Sequence, residues 1–269
     1  MTTTEHLFDA GTAVEPLGDG RYQGEVDTRW WVEKGPNGGY LAAVILRALT
    51  LEVNDPLRTP RSFTVHYVSR PAEGIAEVDA RVERVGRSMT ATTARLSQNG
   101  ELLATAQAAF SSSRSGSHFD DNPAPPTMQP EDIPALDVPK ETFPPFAWNF
   151  DYRWAVGSLP YSGSERAVTG GWIRLKEPRP LDPLLLTTYS DGWPPAVFSK
   201  RQTPALVPTI DLTVHFRGSG EVLPPDWTLM RFETTVGAGG FIEEDGHIWN
   251  RDGVLLAHSR QLALYQERR

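Results

Sequence analysis

Apolar residues in the first part of the chain follow two different periods. From Gly38 to Leu51 they occur on nearly every side of a helical projection, as in a buried helix, and Asn54-Asp55-Pro56 ends the pattern. The segments after it alternate between apolar and polar residues and are separated by glycines, which predicts four strands, in 63–67, 76–85, 90–96 and 102–110. One buried helix followed by four antiparallel strands predicts an α+β unit whose sheet curls around the helix.

The same order of elements returns in the last part of the chain. Asp182 is a predicted N-cap with Pro183 at the first helical position, and strands are predicted in 209–216, 228–235, 240–249 and 254–265. Two short sequences also recur. Residues 62–67 match 211–216 at an offset of 149, and residues 99–104 match 252–257 at an offset of 153. The near-constant offset predicts that one ancestral unit was duplicated.

The segment that joins the two units is rich in proline. Eight prolines lie in residues 114–145, and proline lacks a backbone donor and fixes φ, so neither a helix nor a central strand is expected there. We predict an extended linker in 114–145 between an N-terminal lobe, 1–113, and a C-terminal lobe, 146–269.

The composition of the chain argues against several classes of function. The net charge of −8 argues against general affinity for nucleic acid or for an anionic membrane, although a local arginine cluster can still bind an anionic group. With no cysteine there is no thiolate nucleophile and no cysteine-based zinc site, and the six histidines show no metal-binding spacing, so no metal is expected. Without a recognisable secretory signal or membrane-length apolar run, a cytoplasmic location without a membrane span is expected.

The two repeats differ at three positions in the way expected if only one of them carries a functional site. Three polar residues of the second lobe align with apolar residues of the first: Asp191 with Ala42, Thr209 with Pro60 and Gln261 with Ala108. A carboxylate, a hydroxyl and a carboxamide suit the activation of water, with the carboxylate as general base. Each also has an ordinary structural explanation, as a helix-end residue, a strand threonine and a residue at the rim of the last strand.

Local sequence sets two conditions on this site. Pro194-Pro195 follows Asp191 closely and favours the end of the helix there, where the negative end of the helix dipole would raise the pKa of the carboxyl. In a regular strand, Ile210 and Leu212 face the helix and Thr209 faces away. Thr209 can therefore reach Asp191 only if the start of its strand is bulged or bent.

Several motifs, in order, resemble the type II acyl-CoA thioesterases (TesB-like proteins). The similar segments are Gly35-Pro-Asn-Gly-Gly-Tyr-Leu-Ala-Ala43, Val65-His-Tyr-Val-Ser-Arg-Pro71, Arg84-Val-Gly-Arg-Ser88, Gln98-Asn-Gly100, Ser190-Asp191, Thr209-Ile-Asp211 and residues 250–257 leading to Gln261. The resemblance implies a double hotdog fold, in which two antiparallel sheets each wrap around a central helix. It also implies hydrolysis of acyl-CoA to free acid and CoA without a cofactor, by a water molecule that Asp191, Thr209 and Gln261 orient.

The sequence identifies residues that could contact the substrate less specifically than it identifies the three polar residues. Arg84 and Arg87 are candidates to meet the phosphates of coenzyme A, or are solvated residues of a strand and turn, and Trp193 is a candidate wall of the acyl pocket or a core residue. An alternative function is a module that binds acyl-CoA or lipid without turnover. A hydratase of the same fold is disfavoured because no Asp–His pair accompanies the second helix. Exposed sheet edges predict a homodimer, and no motif encodes the length of the acyl chain.

Overall fold

The computed structural model describes residues 6–117, 119–218 and 222–267. The α-helices of these residues are α1 (Leu7–Gly11), α2 (Gly38–Val53), α3 (Pro183–Tyr189) and α4 (Val197–Lys200), and 3₁₀ turns are formed by Thr28–Trp30, Pro130–Asp132 and Pro145–Asn149. The strands of the N-terminal lobe are β1 (Glu15–Gly18), β2 (Arg21–Val26), β3 (Thr59–Tyr67), β4 (Gly74–Val85), β5 (Thr90–Gln98) and β6 (Glu101–Ser111). The strands after the linker are β7 (Phe150–Gly157), β8 (Ala167–Leu175), β9 (Ala205–Leu206), β10 (Thr209–Phe216), β11 (Thr228–Thr234), β12 (Gly237–Ala238), β13 (Phe241–Trp249), β14 (Leu255–Leu264) and β15 (Gln266–Glu267). Residues 1–5, which bear on the expected lack of a secretory signal, lie outside the described part of the chain.

The two lobes share one sheet. Thirteen described strands form it, in the order β1-β2-β4-β5-β6-β3-β10-β14-β13-β11-β8-β7, with β12 beside β13. The expectation of two separate sheets is therefore corrected, because β3 and β10 pair along their length and join the lobes edge to edge. This pairing satisfies the backbone groups of both strands, which would otherwise be open edges.

Equivalent positions of the two repeats meet at the centre of this sheet. In the antiparallel β3–β10 pair, Thr64 lies opposite Thr213, 149 positions further along the chain, and their hydroxyls are 3.0 Å apart. On either side of it, His66 pairs with Asp211 and Ser62 pairs with His215. This is the pairing expected of a duplicated unit whose copies are related by a two-fold axis through the Thr64–Thr213 pair.

Helix α2 is the buried helix that the sequence predicts. The side chain of Asn37 accepts the N–H of Tyr40 at its start, and Asn54 adopts the left-handed conformation, with φ 46°, at its end. Ten of its residues are buried and pack against the inner face of β3 to β6. The predicted cap of the second helix is also confirmed, because the Asp182 side chain accepts the N–H of Leu185 and Pro183 begins α3.

The helices of the two lobes approach closely at a glycine. A Cβ atom added to Gly39, in the first turn of α2, would lie 2.7 Å from the carbonyl oxygen of Thr188 and 2.9 Å from that of Thr187. Those carbonyls belong to the backbone of α3 and cannot move as a flexible side chain would. Gly39 therefore allows the start of α2 to lie against the end of α3.

The outer strands and the packing of the linker were not predicted. β1 and β2 extend the first half of the sheet, and β7 and β8 extend the second. Trp172 and Trp249 project from the outer face of the sheet, where their indole N–H groups donate to carbonyls of Met128 and Asn122 in the linker. Ile133 belongs to the same buried apolar cluster as both tryptophans. The proline-rich linker thus covers part of the second lobe. None of the described helices is long and apolar enough to cross a membrane.

Replacing Gly39 by alanine tests the helix contact. We expect Gly39→Ala to lower the free energy of unfolding by about 1–3 kcal/mol, because the added methyl group must push α2 away from α3. Gly116→Ala in the linker is the matched control, since a Cβ there meets nothing within 4 Å. Urea unfolding measures both variants, and an equal effect of the two substitutions would contradict the contact.

Candidate active site

Asp191 lies in the turn that follows α3 and points at the start of α2 in the other lobe. Its Oδ2 accepts a 2.9 Å hydrogen bond from Nδ2 of Asn37 and a 3.1 Å bond from the backbone N–H of Gly39. The same Nδ2 also donates to the backbone carbonyl of Asp191 at 2.7 Å. Asn37 therefore caps α2 with its oxygen and holds Asp191 with its nitrogen, so the carboxylate is fixed where the lobes meet.

The Asp191 carboxyl has a raised pKa. Burial raises its pKa to about 6, opposed by hydrogen bonds from the backbone of Gly39 and Gly38 and from the side chains of Gln261 and Asn37. The sequence correctly predicted a raised pKa, but the main cause is burial. Helix α3 ends at Tyr189, and the carboxylate faces the N-terminal end of α2.

Thr209 and Gln261 meet at a bulge. The pairing of β10 with β14 shifts between Thr209 and Asp211, so that Thr209 lies opposite Ala263 and Asp211 opposite Leu262. This bulge meets the condition that strand alternation sets for Thr209 to face the interior. The extra residue turns Thr209 inward, and its hydroxyl donates a 3.0 Å hydrogen bond to Oε1 of Gln261.

The Gln261 carboxamide lies among three polar side chains. Its Nε2 donates to Oε1 of Glu244 at 3.0 Å, and its amide also lowers the pKa of the Asp191 carboxyl. Gln261 is 7% exposed and Glu244 is 5% exposed. The structure thus brings the three sequence-predicted residues, Asp191, Thr209 and Gln261, into one polar cluster, and Glu244 belongs to it as well.

Tyr67 covers another side of this cluster. Its hydroxyl donates a 2.6 Å hydrogen bond to the carbonyl of Gly38. Burial raises the pKa of Tyr67 well above its ordinary value, and the negative charges of Asp191 and Asp211 raise it further. The phenol therefore stays protonated and acts only as a fixed donor.

The residues predicted to contact substrate lie in two places. Trp193 is buried two residues after Asp191, donates its indole N–H to Thr169 at 2.9 Å and packs edge-on against Tyr152 at 5.2 Å. Arg84 and Arg87 are exposed beside the β4–β5 turn, whose residue Gly86 accepts from Arg58 just beyond the C-terminal end of α2. Asp191 is at the other end of this helix of 16 residues, about 24 Å away along its axis.

Three residues of the cluster were missed in the sequence. Asn37 looks like an ordinary N-cap, and the contact of Tyr67 with α2 depends on the fold. Glu244 did carry a signal. It lies between Ile242 and Gly246 on the inward face of β13, where a carboxylate is unexpected.

Ion pairs surround the start of α3. Arg179 donates to Asp9 at 2.9 Å and to the N-cap residue Asp182 at 2.7 Å, and Arg47 of α2 also donates to Asp9. Within the described residues, no group of three or more His, Asp or Glu side chains has the geometry of a metal site.

Similar structures share this architecture. A protein of unknown function with a hot dog fold from Alicyclobacillus acidocaldarius is 27% identical over 99% of this chain and 100% of its own, with a TM-score of 0.91. A putative thioesterase II from Thermobifida fusca is 25% identical over 97% and 98% of the two chains, with a TM-score of 0.84. The acyl-CoA thioesterase II TesB2 from Mycobacterium marinum, 22% identical over 97% and 98% with a TM-score of 0.76, supports the fold alone. Comparison with curated proteins gave no match.

The fold and the family comparison together define a thioester hydrolase of the hotdog class. The acyl-CoA thioesterase N-terminal domain matches residues 27–111, and the acyl-CoA thioesterase C-terminal domain matches residues 130–265. The chain belongs to the acyl-CoA thioesterase family.

The raised pKa of Asp191 predicts a stability that depends on pH. The folded protein binds the proton more tightly than an unfolded chain, whose aspartate has a pKa near 3.8, so stability falls as pH rises from about 4 to about 6 and stays lower above that range. Asp191→Asn removes this penalty. We expect it to raise the free energy of unfolding by about 1–3 kcal/mol at pH 8 and by little at pH 4. Urea unfolding at both values, with Asp79→Asn as control, measures this; equal gains at the two pH values would contradict it.

Proposed function

We propose that this chain hydrolyses acyl-CoA thioesters to a free acid and CoA with a water molecule that Asp191 activates and Thr209 and Gln261 hold. The observation that carries the proposal is the hydrogen-bonded cluster at the lobe interface, which contains a carboxyl of raised pKa. We also expect the chain to act as a homodimer, which remains a prediction from its open sheet edges.

The residues divide the chemistry between them. Above about pH 6 the Asp191 carboxylate can accept a proton from water as the remaining hydroxide attacks the thioester carbon. The Thr209 hydroxyl donates to Gln261, so its lone pairs are free to accept a hydrogen bond from this water. Collapse of the intermediate breaks the carbon–sulfur bond and releases CoA, whose thiolate takes up a proton.

A panel of acyl-CoA substrates tests the proposal. We expect release of free CoA by the wild type, and a loss of kcat of about 100- to 10,000-fold in Asp191→Asn, because a general base contributes on this scale. The wild-type kcat/KM should fall as pH drops below about 6, where Asp191 becomes protonated. Asp79→Asn, which replaces an aspartate on the outer part of β4, should keep full activity.

Two outcomes would contradict the assignment. Full turnover by Asp191→Asn would remove this residue as the base. Tight binding of acyl-CoA without release of CoA by the wild type, across the whole panel, would favour the alternative of a binding module.

A role for Arg84 and Arg87 in binding CoA phosphates remains a prediction. In a single chain, a CoA molecule whose thioester lies at Asp191 would have to span the length of α2 to meet them. If they do bind phosphate, Arg84→Ala and Arg87→Ala should each raise KM for acyl-CoA several-fold and leave kcat unchanged, because the lost contact is made equally in the ground and transition states. Unchanged KM in both variants would exclude the contact; Arg95→Ala, an exposed arginine of β5, is the control.

A further inference from the structure

We propose that Glu244 is a positioning residue, whose carboxylate determines which way round the Gln261 carboxamide lies and thereby the direction of the Thr209 hydrogen bond. This inference rests on the proposed function of Asp191, Thr209 and Gln261. It assigns a task to a buried acid that the proposed mechanism does not use.

Glu244 is held on both of its oxygens. Oε1 accepts from Nε2 of Gln261 at 3.0 Å, and Oε2 accepts from the backbone N–H of Ala196 at 2.5 Å. Glu244 lies opposite Gln261 in the β13–β14 pair, so the two side chains project side by side into the interior. No arginine, lysine or histidine in the described part of the chain forms a salt bridge with it. Its partners are donors of hydrogen bonds and carry no charge.

Burying an ionised acid without a cationic partner costs free energy, which hydrogen bonds and partial protonation reduce. Burial raises the pKa of Glu244 to about 7, opposed by the N–H of Ala196 and the amide of Gln261, while the charges of Asp191 and Asp245 raise it further. Such a group is seldom kept for stability alone, because a well-packed apolar residue often serves as well. The contact of Glu244 with Gln261 gives the acid such a task.

A carboxamide can lie in two orientations of nearly the same shape, which differ only in where the oxygen and the nitrogen are. A carboxylate accepts hydrogen bonds and cannot donate them. Above about pH 7, where Glu244 is ionised, it therefore selects the orientation in which Nε2 of Gln261 faces it. Oε1 is then left facing Thr209, whose hydroxyl must donate to it.

The direction of this last hydrogen bond matters to the reaction. While Thr209 donates to Gln261, its lone pairs remain available to a water molecule. In the reversed orientation Nε2 would donate to Thr209, and the amide oxygen would face the carboxylate of Glu244, which repels it. The reversed cluster would hold the attacking water poorly and disturb the base.

Glu244→Gln separates shape from hydrogen-bonding capacity. A glutamine at this position supplies one acceptor and one donor, where the N–H of Ala196 and Nε2 of Gln261 both need an acceptor. If its oxygen serves Ala196, its amino group faces Gln261 and favours the reversed carboxamide. We expect kcat to fall about 10- to 100-fold, the scale of a misplaced reacting group, with KM changed less than about two-fold.

A double-mutant cycle distinguishes positioning from a general structural role. If Glu244 acts through Gln261 on Thr209, its substitution should matter little once the threonine hydroxyl is gone. We expect Thr209→Val to lower kcat, and Glu244→Gln combined with Thr209→Val to be no more than about three-fold slower than the slower single variant. Multiplying losses would overturn the proposal.

Two further variants, one at the neighbouring glutamate and one at Glu244 itself, serve as controls. Glu243→Gln changes the adjacent glutamate, which faces outward and accepts from Thr235 and Val236, and should leave kcat unchanged. Glu244→Leu is a second variant, which holds the carboxamide in neither orientation and should lose kcat as well. Each variant is assayed at a temperature below its own measured midpoint of thermal unfolding. Wild-type kcat in Glu244→Gln or Glu244→Leu, while Asp191→Asn is inactive, would overturn the inference alone; an active Asp191→Asn would overturn the proposed function.

Discussion

The close approach of α2 and α3 at Gly39 is the constraint on which the site depends. It brings the carboxylate of Asp191 from one lobe onto the first backbone N–H groups of the helix of the other lobe. These donors partly offset the cost of burying the acid and still leave its pKa near neutrality. The continuous pairing of β3 with β10 fixes the lobes in this position, so the sheet and the site depend on the same interface.

The sequence predicts the parts of this molecule whose causes are local. Helix α2, the cap at Asp182 and the four main strands of each lobe follow from periodicity and capping residues. The bulge at Thr209 was recognised from the sequence only as a condition for its proposed role. The single sheet could not be derived, because edge-to-edge pairing of β3 and β10 is a tertiary choice that either lobe alone leaves open. The sequence analysis also missed the strands at the two ends of the sheet, β1, β2, β7 and β8, because their pairing too is decided by the tertiary fold. Of the cluster, the residues that differ between repeats were found, while Asn37 and Glu244 were not.

The chain carries the polar cluster once, although its units are duplicated. The positions equivalent to Asp191, Thr209 and Gln261 are Ala42, Pro60 and Ala108, whose side chains form no hydrogen bonds. Near the start of α3 the chain has an arginine–aspartate network, in which Arg179 pairs with Asp9 and Asp182. The charges of that network are paired and hydrogen bonded, so they leave no unpaired group there.

The docked linker makes the outer surface of the second lobe different from that of the first. Because residues 122–133 cross the outer surface of the second lobe and satisfy the indoles of Trp172 and Trp249, that surface is already occupied by the chain itself. Another molecule could reach this part of the sheet only by displacing the linker, so the segment that connects the repeats also limits what can bind to the outer surface of the second lobe.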